Sequence, residues 1–292
     1  MSDNRSYFPS TSSSQPTYSR VVQMTTTPEP EPKAAPAAAR TGSTTAKTTI
    51  EHVGHHLKEN IRSTMFCEIQ LLLLTFCTGI QDATTFPDYH CFASNQTGNT
   101  IFLCVALVLP HLNGEMFVTS NIGIALGLFL GGGWLTGQLG HAIGPRKRWW
   151  LVLCNFVQSG LVLGAAAIQY RHGIAVQGPK ALSVIGLLAF ASGSQVVQSR
   201  SLAMTEISTA MATAAWVDLL IDKKLLAFDN RPRTRRVAFL ASLILGAFAG
   251  AFIYREVGSA TAIAVSGAGK LLVTVMFVFA GAEKEPKTDS VV

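Results

Sequence analysis

Polar side chains gather inside and just after the first strongly apolar run of this sequence, between residues 78 and 99. Gln81 and Asp82 fall near the end of the run, and Asn95, Thr97 and Asn99 follow it in a short polar stretch. Amide, hydroxyl and carboxylate groups are the groups with which proteins bind small polar or ionic ligands. The stretch is therefore predicted to bind a solute.

The surrounding composition is that of a polytopic membrane protein. Hydrophobic residues make up 48% of the chain and charged residues 14%, and most charges lie in residues 1–65 and a few short loops. The remaining apolar stretches of roughly 20 residues are long enough for a helix to cross the hydrocarbon core. The net charge of +6 comes largely from basic residues that flank these stretches, as the positive-inside rule describes. The lipid bilayer is thus an expected partner and nucleic acid is not.

Six full-length apolar segments are predicted to span the membrane, and two shorter ones have the length of buried or re-entrant helices. The predicted fold is therefore an all-α, polytopic transmembrane helical bundle with about six full spans and two half helices. The full segments are residues 67–86, 117–143, 149–170, 181–204, 236–255 and 258–281, and the short ones are 100–112 and 207–221.

Loop charge favours six crossings with both termini in the cytosol. With six crossings, the cluster Arg146-Lys147-Arg148 and the pair Lys223-Lys224 lie on the cytosolic side with the tails. With eight crossings, the first cluster lies outside, against the positive-inside rule.

The chain divides into four regions. Residues 1–46 are rich in Ser, Thr, Pro and Ala and are predicted to form a disordered cytoplasmic tail. Residues 47–65 form a predicted juxtamembrane amphipathic segment, residues 66–282 the transmembrane domain, and residues 283–292 a C-terminal tail.

No metal site and no cofactor are predicted. His52, His55 and His56 are spaced so that they could share one helical face, but a solvated polar face explains them better than a bound metal. The five cysteines have no CxxC spacing and fall mostly in apolar runs, where a small apolar side chain is the expected role.

The two halves of the transmembrane domain, about residues 66–170 and 181–282, resemble each other weakly but in order, at offsets of about 113 to 116 residues. With three full spans in each half, the second half enters the bilayer in the opposite sense. Inverted repeats of this kind occur in many transporters. The matched pairs are CTGIQDATT at 77–85 with ASGSQVVQS at 191–199, NQTGNTIFL at 95–103 with MATAAWVDL at 211–219, and Gly133-x-x-x-Gly137 with Gly246-x-x-x-Gly250.

The repeat suggests a role for the polar stretch. Thr97, Gly98 and Asn99 are predicted to open a half helix whose first N–H groups face an anion or a polar solute group in a cavity. The alternative is an ordinary extracellular loop that Thr97 or Asn99 caps. The predicted solute-binding residues are Gln81, Asp82, Asn95, Thr97, Gly98, Asn99, Gln195 and Thr213.

Two charges are predicted to lie within the membrane, Asp82 near the end of the first span and Lys270 near the middle of the last. Each should face the bundle interior, and their signs suggest that they pair. The pair could be a static salt bridge, or each side chain could reach an interface separately. A functional role would make Asp82 a protonatable or cation-binding group.

Buried amides and glycines have structural explanations as well. Gln81 and Gln195 could bind solute or bridge helices. The glycines of the two GxxxG patterns are predicted to allow close helix packing, and these are Gly133, Gly137, Gly246 and Gly250.

Three motifs resemble the YoaK-like family of membrane proteins, a domain of unknown function. They are GIQDATTF at 79–86, FASNQTGNTIFL at 92–103 and SGSQVVQSRSLAM at 192–204, and the resemblance covers about residues 65–282. The chain departs from the family pattern at Val196, where the family tends to have Asn, and at Ala214, which replaces the Gly of a second T-G pair. The resemblance implies a multi-span fold but no reaction or substrate.

A secondary transporter or permease for a small polar or anionic solute is the leading hypothesis. The alternatives are a scaffold or receptor whose tail recruits partners, and a membrane-embedded enzyme. No HExxH, GxSxG or clustered Cys/His spacing supports an enzyme, so no catalytic residue is assigned. Assembly into a homo-oligomer is left open. The side chains weighed for an enzyme are Asp82, His90, Cys91, His111 and His141.

Overall fold

The computed structural model describes residues 54–283, and within that range the architecture is all-helical, as predicted. The predicted tail 1–46, the predicted tail 283–292 apart from Glu283, and His52 lie outside the described residues. Besides a one-turn helix at residues 54–58 and a 3-10 turn at Pro110–Leu112, six long and two short helices follow one another in the order long, short, long, long, and then the same order again. They are α1 (Met65–Tyr89), α2 (Gln96–Val108), α3 (Thr119–Ile143), α4 (Arg148–His172), α5 (Pro179–Ser201), α6 (Ala212–Leu220), α7 (Arg231–Glu256) and α8 (Ser259–Val278).

Five of the six long helices are long and apolar enough to cross a membrane, namely α3, α4, α5, α7 and α8. α1 has the same length as α3 but is more polar. Its side chains Gln70, Thr78, Gln81 and Asp88 are buried among the other helices. A lipid-facing helix could not carry these groups, because the hydrocarbon core offers no hydrogen bonds. α1 is therefore an inner helix of a membrane bundle.

Backbone contacts define one end of the bundle, named here the basic end. The segment before α1, the α3–α4 loop and the segment after α8 meet there. The Ile61 N–H donates to the Arg146 carbonyl (2.9 Å), and the Arg62 N–H donates to the Gly281 carbonyl (3.0 Å). The buried Arg148 guanidinium donates to the Val278 carbonyl (2.9 Å).

The opposite end, named here the far end, holds the α1–α2, α2–α3, α4–α5 and α7–α8 connections. The Asn121 amide donates to the carbonyls of Tyr89 (2.9 Å) and Val176 (2.8 Å), and Tyr170 and Thr261 share a hydrogen bond of 2.8 Å. α2 connects the end of α1 to the start of α3, and both of these lie at the far end. α6 connects the end of α5 to the start of α7, and both of these lie at the basic end. The six long helices therefore run from end to end and the two short helices do not.

The long helices pair across the two halves. α1, α4, α5 and α8 form the centre, while α7 packs on α1 and α3 packs on α5. The first helix of each half thus packs on the third helix of the other half. Main chains touch at both crossings, since an added Cβ on Gly79 would overlap the Leu243 carbonyl and one on Gly193 would overlap the Phe129 carbonyl. Gly193 lies 114 positions after Gly79, and Phe129 lies 114 positions before Leu243.

The glycines of the two GxxxG patterns make different contacts. Gly246 and Gly250 lie against the main chain of α1. On α3, a methyl group added to Gly133 or Gly137 would lie 3.5 Å or 3.7 Å from the Val197 side chain, whereas one added to Gly132 would overlap the Phe190 carbonyl. Successive helical residues point about 100° apart, so a shift of one position selects a different face.

The shift on α3 also brings a hydroxyl into the crossing. Thr136, one turn after Gly132, donates to the Ser194 hydroxyl of α5 at 2.8 Å. With Gly132 as the equivalent of Gly246, the spacing becomes 114 residues, the same as between Gly79 and Gly193. A single offset therefore relates both crossings.

Candidate functional site

Buried polar side chains line the contact between the four central helices and form what is here named the polar column. On α5 they recur at Ser194, Gln195 and Gln198, which is the spacing of one helical face. Turning this face inward satisfies groups that lipid would leave without hydrogen bonds. The column comprises Thr78, Gln81, Asn155, Gln158, Ser194, Gln195, Gln198, Ser266 and Lys270, all of them buried.

Lys270 lies at the centre of the column and is fully buried. Its ammonium donates to the Gln195 side-chain oxygen, and the Gln195 amide in turn donates to the Thr78 hydroxyl at 2.9 Å. This chain of hydrogen bonds joins α8, α5 and α1. Among residues 54–283, no carboxylate lies within ion-pair distance of Lys270.

Gln81 also contacts α8, at Ser266, one turn before Lys270. Its amide donates to the Ser266 hydroxyl at 2.7 Å, and that hydroxyl donates to the Cys77 carbonyl at 3.0 Å. Gln81 and Gln195, which the repeat aligns, thus both reach across to α8. Each bridges helices, and the Gln81 side-chain oxygen has no partner among the described residues.

A second set of amides extends the column toward α4. The Gln158 amide donates to the Ser194 hydroxyl (3.0 Å) and to the Gln198 side-chain oxygen (3.1 Å), and the Gln198 amide donates to the Leu151 carbonyl (2.8 Å). Within residues 54–283, the side-chain oxygens of Gln158 and Asn155 have no partner. An unpaired buried polar group costs about 1–3 kcal/mol, so these oxygens are places where water or a solute group would bind.

Asp82 faces away from the column. Its carboxylate accepts hydrogen bonds from the Ser94 backbone N–H, at 3.0 Å, and from the Ser94 hydroxyl. The predicted pairing with Lys270 is not found, because Asp82 follows Gln81 on α1 and so points about 100° away from it. The carboxylate instead holds the segment between α1 and α2.

The Ser94 contact makes that segment re-entrant. Asp82 lies seven residues before the end of α1, which places it roughly 10 Å inside the helix end. To bring Ser94 to that depth, residues 90–95 must turn back into the bundle before α2 leads outward again. α2 therefore starts beside α1, about two turns before α1 ends, with Asn95 and Thr97 at its start exposed.

α2 begins at Gln96, beside the predicted Thr97, and the chain itself occupies the hydrogen-bonding groups of this turn. Asn95 caps α2 and accepts from the Gly98 N–H at 3.3 Å. The buried Asn99 accepts from the Phe92 N–H (2.9 Å) and donates to the Phe92 carbonyl (2.7 Å). The exposed Thr97 contributes no side-chain hydrogen bond to this turn. These residues shape the re-entrant turn and lie apart from the polar column.

The remaining candidates are scattered. Thr213 is exposed on α6 at the basic end. His90 follows α1 at the far end, whereas His141 lies in the last turn of α3 near the basic end. His55 and His56 both approach Glu59, at 3.5 Å and 3.2 Å. No group of three potential metal ligands occurs in the described part of the chain.

A second buried cluster at the far end was missed at the sequence level. The Asp88 carboxylate accepts from the Ser259 hydroxyl and from the Gln169 amide (3.3 Å), which also donates to the Tyr89 hydroxyl (2.7 Å). Gln169 and Ser259, like Gln158 and Ser194, are polar residues inside predicted apolar segments. Their recurrence at helical spacing was the available signal, because such groups must face the interior.

A family model described as "Protein of unknown function (DUF1275)" matches residues 70–276, the part that contains the polar column and both short helices. No curated protein and no solved structure matches the chain. The match covers more than half of the chain and agrees with the resemblance seen in the three motifs. The chain is an integral membrane protein that belongs to the DUF1275 family.

Proposed function

We propose that the protein is a secondary transporter or permease that moves a small polar or anionic solute along the polar column. The observation that carries this proposal is the composition of the column: a fully buried lysine with no acidic partner among the described residues, beside amide oxygens with unused hydrogen-bonding capacity. A charged residue at the bilayer centre costs about 3 kcal/mol on insertion scales. A purely structural bundle would gain stability from apolar side chains at these positions.

The packing of the halves supports a transport cycle. The first helix of each half packs on the third helix of the other half, and equivalent residues at the two crossings are 114 positions apart in the sequence. With three crossings per half, the repeat is inverted. Rocking of two such halves about a central site would open it to one end and then to the other.

The basic end is proposed to face the cytosol, with both termini on that side. Lys147, Lys223 and Lys224 lie there, whereas Lys180 and Arg255 lie toward the far end. This distribution follows the positive-inside rule.

Solute-dependent thermal stabilisation of the purified chain, followed by flux into liposomes, tests the proposal. A stabilising solute should cross liposomes that contain the protein and should not cross empty ones. Gln158→Leu should reduce this flux, because it removes a column amide. Gln138→Leu is the matched control, since Gln138 is exposed on α3. Equal flux with and without protein, or equal loss in both variants, would contradict the proposal.

A further inference from the structure

We propose that the transported solute is a small monovalent anion, and that it binds to the Lys270 ammonium in place of the Gln195 side-chain oxygen. This inference rests on the proposed transport function and names the solute class of the same column. It also assigns Lys270 as the residue that selects the solute.

The charge of the column indicates that the solute is an anion. Lys270 is the charged member of the column, and the nearby carboxylates are engaged elsewhere. Asp82 accepts from Ser94 on a different face of α1. Asp88 accepts from Ser259 and Gln169 at the far end. A cation entering the column would meet an unopposed positive charge, and a neutral solute would leave that charge uncompensated.

The hydrogen-bonding capacity of Lys270 also indicates an anion. An ammonium group has three donors and no acceptor. Among the described residues, its side-chain partner is Gln195, whose neutral oxygen supplies part of what a negative oxygen would supply. An anion adds the attraction between opposite charges, which a neutral amide oxygen lacks and which is stronger in a protein interior than in water. An anion is therefore the better partner and displaces the amide oxygen.

The amide of Gln195 is placed to follow this exchange. Its nitrogen is held by the Thr78 hydroxyl at 2.9 Å and lies 3.4 Å from the Leu74 carbonyl, both on α1. When the oxygen leaves Lys270, rotation of the same side chain presents its N–H donors to the bound anion. Anion binding on α8 is thereby coupled to the α5–α1 contact between the two halves.

The single positive charge limits the anion to one negative charge. A divalent anion would leave a net negative charge buried between apolar helices, which is as unfavourable as the uncompensated lysine. The fully buried position of Lys270 further favours small anions such as acetate, nitrate or chloride.

Thermal unfolding of the full-length protein in detergent, titrated with sodium acetate, sodium nitrate and sodium chloride, tests the inference. Ionic strength is held constant with sodium sulfate. At least one monovalent anion should raise the Tm in a saturable way. Lys270→Met should lose this shift, and Lys270→Arg should keep part of it. Stabilisation by cations or neutral solutes alone would overturn the inference.

Gln195→Glu provides a test that does not depend on a weakened fold. It places a carboxylate beside Lys270, so the variant should unfold at a higher Tm without added anion and should lose the anion-dependent shift. Gln138→Glu, at the exposed position on α3, should keep the wild-type response. A wild-type anion response in Gln195→Glu would overturn the inference.

Liposome flux separates this inference from the proposed function. If the protein carries a neutral solute and Gln195→Glu leaves that flux unchanged, the anion site is refuted and the transport function is supported. If Gln195→Glu abolishes acetate binding but no solute crosses the liposomes, the anion site is supported and the transport function is refuted.

Discussion

Gly193 of α5 lies directly against the main chain of Phe129 in α3, so close that a single added methyl group would overlap the Phe129 carbonyl oxygen. The equivalent contact joins Gly79 of α1 to Leu243 of α7. Both halves of the bundle therefore depend on the absence of a side chain at one position. Close backbone approach of this kind is a main source of helix association in membranes, where lipid is as apolar as the helix surface.

Substitution of either glycine by alanine should destabilise the fold. Gly193→Ala and Gly79→Ala should each lower the free energy of unfolding by about 1–3 kcal/mol, because the helices must separate to admit the methyl group. Thermal unfolding in detergent measures the loss. Gly160→Ala is the matched control, since a methyl group there meets nothing within 4 Å. Equal stability of Gly193→Ala and Gly160→Ala would contradict the close packing.

Removal of the Asp82 carboxylate should release the re-entrant segment. Asp82→Ala loses both hydrogen bonds from Ser94, so residues 90–95 should open more often and expose Cys91, which is otherwise fully buried. Maleimide labelling of Cys91 should become faster on the order of tenfold or more, since hydrogen bonds to charged groups contribute about 1.5–3 kcal/mol.

This labelling experiment needs a background and a control. Cys104 is exposed and should first be replaced by serine. Glu115→Ala changes an exposed carboxylate at the same end and should leave the labelling rate unchanged. If Asp82→Ala and Glu115→Ala label at the same rate, the carboxylate does not hold the segment.

Glu68 should clamp α1 to α7 at the basic end. Its carboxylate accepts from Arg231 (2.6 Å) and from Arg235 (2.7 Å) and is largely buried. Glu68→Gln should lower the free energy of unfolding by about 1–3 kcal/mol, because Arg231 loses its charged partner and Arg235 keeps only Glu206, at 3.5 Å. Thermal unfolding at low and high salt measures this, and the difference from wild type should shrink at high salt.

The exposed ion pair between Arg255 and Glu256 offers the comparison. Its two side chains are 69% and 63% exposed, so Glu256→Gln should change stability by about 0.5 kcal/mol or less. A Glu68→Gln effect no larger than that of Glu256→Gln would argue against the clamp.

The six-crossing topology predicts the sidedness of the short helices. Cysteines introduced at Glu115 and at Asp229, one at a time in a Cys104→Ser background, should be labelled from opposite sides of the membrane by an impermeant maleimide. Eight crossings would place both on the same side. Lys147→Cys serves as an internal reference and should report the same side as Asp229→Cys. Labelling of Glu115→Cys and Asp229→Cys from one side would refute six crossings.

Hydropathy alone placed the long helices well. The predicted segment 117–143 corresponds to α3 (Thr119–Ile143), and 258–281 corresponds to α8 (Ser259–Val278). The misplaced ends lie where polar residues continue a helix. α1 extends to Tyr89 beyond the predicted 86, and α7 begins at Arg231, capped by Asn230, ahead of the predicted 236. Charged and polar turns lower the local hydropathy without ending the backbone hydrogen bonding.

The sequence by itself determined the number and order of the long and short helices and the presence of buried polar groups, because both follow from composition and local spacing. Its three motifs indicated the family. The tertiary structure decided which polar groups meet. Asp82 contacts Ser94 and Lys270 contacts Gln195. The opposite charges of Asp82 and Lys270 had suggested that these two side chains pair with each other. Neighbouring helical positions point about 100° apart, so a partner depends on helix rotation and on the path of residues 90–95. Those are set by contacts distant in the chain, such as Gly193 with Phe129, which hydropathy does not record.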